Sequence, residues 1–224
     1  TITSTFAAAS LSSGTGTTAI NGGTITTTGV QTYGNAVTLG AATTLATTNS
    51  NVSFGSAATI NGAQTLAITA GTGTISYGAI VGGTTALSSL SSTSSTDIYL
   101  GANITTAGNQ TYTGPVVLNN NITLISNSGS ANGAVSFSST VDSTSTAAKA
   151  LTVTSGSGNI GFSGIVGGNY ALAALSLNST GTTTFSGGSV RTHSPNSIVF
   201  GTDVLLSANT TFDTTDNGTL ASNL

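Results

Sequence analysis

The chain repeats itself on two length scales, and this constrains the fold more than any single residue does. Gly29-Val30-Gln31-Thr32-Tyr33 recurs as Gly108-Asn109-Gln110-Thr111-Tyr112, and Ala36-Val37-Thr38-Leu39 recurs as Pro115-Val116-Val117-Leu118 at the same offset. Ile75-Ser76-Tyr77-Gly78-Ala79-Ile80-Val81-Gly82-Gly83 recurs as Ile160-Gly161-Phe162-Ser163-Gly164-Ile165-Val166-Gly167-Gly168, at an offset larger by six. The six added residues are assigned to loop insertions in the Ser/Asn/Gly-rich stretches 126–132 and 143–148. A third copy opens at Gly181-Thr182-Thr183-Thr184-Phe185, which matches Gly16-Thr17-Thr18-Ala19-Ile20, and Phe200 matches Tyr112. Residues 1–224 thus read as one segment of a longer array, with long repeats at about 16–95 and 96–180 and a partial copy over 181–224.

A shorter beat runs inside the long one. Aromatic residues fall at 33, 54, 77, 99, 112, 137, 162, 185 and 200, in steps of 21, 23, 22, 13, 25, 25, 23 and 15. A step of 20–25 residues is one coil of a solenoid made of short strands and turns. Equal phase predicts aromatics stacked one per coil about 4.8 Å apart, with Tyr77, Phe137 and Phe162 pointing inward. The 13 and 15 steps fit either a shorter coil or a displaced aromatic. Roughly ten coils make a rod of about 50 Å.

Local patterning agrees. Leu66-Ala67-Ile68-Thr69, Val135-Ser136-Phe137-Ser138, Leu151-Thr152-Val153-Thr154 and Leu175-Ser176-Leu177-Asn178 alternate with period two, the mark of strands. Turn clusters such as Ala70-Gly71-Thr72-Gly73 and Ser155-Gly156-Ser157-Gly158-Asn159 separate them. The two helix candidates, Ala86-Leu87-Ser88-Ser89-Leu90 and Ala171-Leu172-Ala173-Ala174-Leu175, are too short to stand alone. Gly/Ser-rich chains are often disordered, but a net charge of −3 and recurrent β-branched and aromatic residues argue against it. The expected fold is all-β, a parallel β-solenoid with coils of roughly 20–25 residues. The alternative is a run of β-sandwich repeats, which would not need an aromatic at constant phase.

Composition suits a ladder. Thr (46), Ser (33) and Gly (30) make up 109 of 224 residues, and charged residues only 3%, against about 25% in ordinary domains. In a parallel stack a charge repeated every coil faces its like about 5 Å away. Thr, Ser and Asn avoid that, and Gly takes corners that need positive φ.

The same arithmetic excludes functions. Lys149 and Arg191 are the only cations, too few for a nucleic-acid surface. Cys is absent, which removes disulfides and thiolate zinc sites. The surface lacks the mixed charge of a cytosolic enzyme. The chain starts Thr1-Ile2-Thr3, with no cationic n-region and apolar stretch of a signal peptide, and no window nears the roughly 18 apolar residues of a membrane helix. It reads as a mature chain or as a piece of a longer one.

Residues 110–177 carry a family resemblance. Gln110-Thr111-Tyr112 with Val116-Val117-Leu118, then Ala150-Leu151-Thr152-Val153, then Gly158-Asn159-Ile160-Gly161-Phe162-Ser163-Gly164-Ile165-Val166-Gly167-Gly168 and Ala173-Ala174-Leu175-Ser176-Leu177 resemble the repeat arrays of large bacterial exoproteins. These are the filamentous-haemagglutinin-like and autotransported adhesins. The resemblance spans nearly the whole chain and implies a right-handed parallel β-helix and an extracellular or cell-surface location. It also implies a stalk or scaffold role. The secretion domain of that family is not among these residues.

Candidate chemistry is sparse. Gly156-Ser157-Gly158-Asn159-Ile160-Gly161 fits G-x-G-x-x-G, but a strand pattern follows where a nucleotide loop needs a helix. Arg191, His193 and Asp203 are the one cation, imidazole and carboxylate group close in sequence, and one His with two cations is too little for a lyase-type site. Asp213, Asp216 and Asn217 offer oxygens to calcium but read as a turn. Lys149 and Asp142 read as a weak surface pair. Asn-x-Ser/Thr triplets at Asn51, Asn103, Asn109, Asn121, Asn178, Asn209 and Asn217 follow from the composition. No catalytic, cofactor or metal residue is assigned.

The expected function is a non-enzymatic extracellular structural or adhesive segment, a rigid stalk or filament piece. Its partners would be further repeats of the same chain or end-to-end copies, and a host or cell-surface carbohydrate or protein. No nucleic acid and no membrane span are expected. The alternative is an ice-binding β-solenoid, for which Thr1-Ile2-Thr3, Thr24-Ile25-Thr26 and Thr152-Val153-Thr154 do not recur once per coil.

Overall fold

Strands of three to five residues dominate the chain, and they pair with the turn above and below rather than with their chain neighbours. The computed structural model describes residues 1–130, 132–144, 147–195 and 197–215. The first turn is Phe6–Ala8, Leu11–Ser13 and Thr18–Ile20, and the second is Thr24–Thr27, Gln31–Tyr33 and Val37–Leu39. Phe6 faces Ile25, Leu11 faces Gln31 and Thr18 faces Val37, so each turn puts a strand, or at Val81 and Val166 a single bridge, on each of three faces. Every strand pair is parallel, as in a solenoid and unlike a sandwich. Among the described residues the rod has nine full turns and two strands of a tenth, Ile198–Leu206 and Thr211–Asp213 supplying the last.

Period-two alternation sends every second side chain of each strand into the interior, where they stack in columns from turn to turn. On the first face Ile25, Leu45, Ile68, Ser92, Tyr112, Phe137, Phe162, Phe185 and Leu206 succeed one another. On the second face the column is Ser13, Tyr33, Phe54, Tyr77, Leu100, Leu118 and Ser143. Tyr77, Phe137 and Phe162 are buried, as the phase argument requires. Burying a large apolar side chain contributes about 1.5–3 kcal/mol. Face-to-face stacking, with ring centroids 4.8 Å apart for Tyr33–Phe54 and 4.9 Å for Phe137–Phe162, adds to that.

The aromatics do not, however, form one column. Tyr33, Phe54 and Tyr77 stack on the second face, and Tyr112, Phe137, Phe162 and Phe185 on the first. Tyr99 is a displaced aromatic: it lies in Ile98–Leu100 between inward Ile98 and Leu100, so its ring points outward. The last step on the beat leads from Phe185 on the first face to Phe200 on the third, beside Leu177. The cause is a mismatch between the two repeats. Tyr33 lies on the second face of the second turn, whereas its equivalent Tyr112 lies on the first face of the sixth. That is four turns less one face, or eleven strand positions. Ile75 to Ile160 and Val81 to Val166 make the same move. Each long repeat therefore lands one face away from the last.

Polar groups hold the turns together. Gln31 and Gln110, both fully buried, repeat one network. Gln31 Nε2 donates to the Ile25 and Ala46 carbonyls at 3.2 and 3.0 Å, and Tyr33 donates its hydroxyl to Gln31 Oε1 at 3.0 Å. Gln110 does the same with Ile104 and Ile125, at 3.4 and 2.8 Å, and accepts from Tyr112 at 2.9 Å. At the corners, asparagine Oδ1 atoms accept backbone N–H groups one turn on. Asn51 accepts from Thr74 (2.9 Å), Asn103 from Thr123 (2.8 Å), Asn109 from Ala134 (2.9 Å) and Asn121 from Ala150 (3.0 Å). Four of the Asn-x-Ser/Thr triplets are thus inter-turn clamps.

Near the stretches assigned to the added residues, a short 3-10 turn at Ser128–Ser130 precedes Val135–Phe137, and a bridge between Thr144 and Ala147 precedes Ala150–Gly156. At Gly82 and Gly167, φ is +70° and +71°, and a Cβ would overlap the carbonyls of Thr105 and Arg191 in the next turn.

Candidate functional site

Among the described residues, the sequence motifs fall at corners and on separate faces of the rod. Gly156 (φ +61°) turns a corner and Gly158 packs on the Gly133 carbonyl of the turn before; the strand Ile160–Phe162 follows directly, so no helix N-terminus is present to hold a phosphate. Arg191 lies on the second face, where its NH1 donates to the Gly168 carbonyl at 2.8 Å, and His193 sits at the exposed corner beyond. Asp203 is exposed on the first face, in register with Thr182. Asp213 Oδ1 accepts from the N–H and hydroxyl of Thr215, at 2.8 and 2.6 Å, which makes a local turn. Asp216 and Asn217 lie outside the described residues. Among the described residues no group of three metal-ligating side chains occurs, and no helix is long and apolar enough to cross a membrane.

Asp142 corrects one expectation. It is buried, 5% exposed, and not half of a surface pair with Lys149. Its Oδ1 accepts the backbone N–H groups of Asn169 and Tyr170, at 2.8 and 3.3 Å. It thereby pins the loop after Val166 onto the second face. In the preceding long repeat Asn61 does the same job, accepting from Thr84 and Thr85 at 2.9 and 3.1 Å.

Above Asp142 the outer side of the second face is hollowed into a groove of about 450 Å³. Its floor is Val117 and Asp142, which follow Tyr99 in register as outward rungs about 4.8 Å apart. Tyr99 forms one wall, its hydroxyl donating to Asp97 Oδ2 at 3.0 Å. Tyr170, 49% exposed, forms the other. Partial burial, and then the Asp97 carboxylate, raise the pKa of the Tyr99 phenol, so it stays a neutral donor. Asn119 and Asn169 add amides at the rim. Two other hollows, of about 560 and 590 Å³, are lined mainly by Ser, Thr, Gly and Ala, with no aromatic or charged side chain. Sequence reasoning missed this groove because Tyr99 falls on the aromatic beat. The available signal was the comparison of copies: Tyr99 stands where the others have Ala19 and Thr184.

Searches found no matching family model, no similar curated protein and no similar solved structure.

Proposed function

We propose that this chain is a segment of a rigid, non-enzymatic, extracellular rod, a stalk or scaffold of the bacterial exoprotein kind its repeats resemble. The observation that carries the reading is the set of three parallel ladders running the length of the described chain around a side-chain-filled interior. Such a ladder resists bending because every turn is bonded to the next along three lines. Low charge and a Thr/Ser surface suit a structure whose identical positions stack. No observation favours the ice-binding alternative: the outward column of the first face runs Thr44, Ala67, Ser91, Thr111, Ser136, Gly161, without a regular threonine rank.

The rod also extends beyond its C-terminal described turn. Phe200, Leu206 and Phe212, from the last described strand position on each face, expose the apolar interior at the end of the described rod. A further turn of the same kind, from the same chain or another copy, is the complementary cover. X-ray scattering and negative-stain imaging of the purified chain test this. Expected are rods about 50 Å long for single copies, growing end to end with concentration. A compact particle, or a monomer unchanged at every concentration, overturns the reading.

A further inference from the structure

The groove on the second face departs from the repeat at almost every side chain that lines it. Tyr99 replaces Ala19 and Thr184 of the other copies, and Asp97 replaces Thr17 and Thr182. Val117 stands for Thr38, Asp142 for Asn61 and Tyr170 for Thr85. The fold does not demand these residues, because it is built without them elsewhere. Asp142 makes the point most sharply. Neutral Asn61 pins the equivalent loop with the same two hydrogen bonds, so the buried carboxylate is not needed for the turn. Burying it carries a desolvation cost that Asn61 avoids. Two of the five acidic residues of the chain and the two tyrosines outside the buried core meet here.

From these residues we infer that the groove binds a neutral saccharide. Two tyrosine walls offer flat apolar rings with polar tips, which suit the C–H faces of a pyranose. The carboxylate of Asp97 and the amides of Asn119 and Asn169 accept and donate to its hydroxyls, and bonds to a charged acceptor are the stronger ones. The volume lies within the range of small-ligand sites. No Lys or Arg lines the groove, while two carboxylates do, so uronate, sialate and sulfated sugars are repelled. This goes beyond the rod reading and does not depend on it: the groove spans only four turns, whereas the rod is tested by length and assembly.

Tyrosine emission is a built-in reporter. The chain has no Trp, and Tyr33, Tyr77 and Tyr112 are fully buried. Acrylamide therefore quenches chiefly Tyr99 and Tyr170. The test titrates the folded chain with cellotriose, maltotriose and triacetylchitotriose at millimolar concentration, with trigalacturonate and a lysine-rich peptide as contrasts. At least one neutral trisaccharide is expected to protect both tyrosines, and trigalacturonate to give none. Tyr99→Thr and Tyr170→Thr, which install the residues of Thr184 and Thr85, should fold as the parent does by circular dichroism and bind about tenfold more weakly or worse, a loss of about 1.4 kcal/mol or more. The variants are read by calorimetry with the same sugar. The inference is overturned if no neutral trisaccharide protects, if the peptide or trigalacturonate protects instead, or if both variants bind as the parent does.

Discussion

The hydroxyl of Tyr77 lies 2.6 Å from Oγ of Ser92, and both groups are fully buried. Tyr77 is the last ring of the second-face stack, and Ser92 is the rung just before Tyr112 in the first-face stack. The bond joins the two faces at the turn where the aromatic column changes sides. Ser92 supplies the buried Tyr77 phenol with its hydrogen-bond partner.

Ser92→Ala should therefore leave a buried phenol unsatisfied and cost about 1–3 kcal/mol. Urea denaturation checks this. Tyr77→Phe in the same background should recover part of the loss, since the orphaned group is then removed.

Gln31 and Gln110 make equivalent networks on different faces, so Gln31→Leu and Gln110→Leu should destabilise by similar amounts. The loss comes from the stranded hydroxyl of Tyr33 or Tyr112 and from two freed carbonyls, about 1–3 kcal/mol for each group left unpaired. A twofold or greater disparity in the measured losses would show that the two sites are not energetically equivalent.

Asn61 and Asp142 predict a tolerated exchange. Asn61→Asp should keep residues 84–85 pinned, as Asp142 pins its own loop, with only a modest loss of stability from desolvating the carboxylate. Asn61→Ala should cost about 1 kcal/mol and loosen residues 84–85, read by hydrogen exchange.

The buried phenols give a pH dependence. Desolvation raises the pKa of Tyr33, Tyr77 and Tyr112 above the usual value of about 10. The folded state thus holds these protons more tightly than the unfolded state does. Their contribution is complete below pH 10 and is lost as pH rises beyond it. Thermal midpoints should hold up to about pH 10 and fall above it, and the ultraviolet tyrosinate signal of these three rings should appear only together with unfolding.

How far the sequence disclosed this arrangement can be traced residue by residue. Coil length and the inward positions of Tyr77, Phe137 and Phe162 were legible because alternation has a strict period of two and aromatics mark the beat. The face on which each ring stacks was not, because the distance along the chain from Tyr33 to Tyr112 does not say how many strands it contains. Loops of unequal length hide that count: the turn from Leu124 to Val153 takes in far more chain than the turn from Ile104 to Leu124. Asn51, Asn103, Asn109 and Asn121 looked like products of composition, since a corner clamp depends on the turn above, which no local pattern reveals. Tyr99 was hidden by a coincidence of spacing. Asp142 looked like a surface charge because its partners, the N–H groups of Asn169 and Tyr170, are 27 and 28 residues away.

Eleven strands to the long repeat and three to the turn share no common factor. A mark borne once per repeat therefore climbs the rod as a spiral stair, a third of a revolution at each step of about 18 Å. It returns to its starting side only after three repeats, eleven turns and about 53 Å. Exposed Ile80 and Ile165 are the first two treads. Any longer run of this repeat presents its marks on all three faces in turn, so it has no front and no back. Neighbours can grip it from any side, and the weak points of successive repeats never line up along one seam.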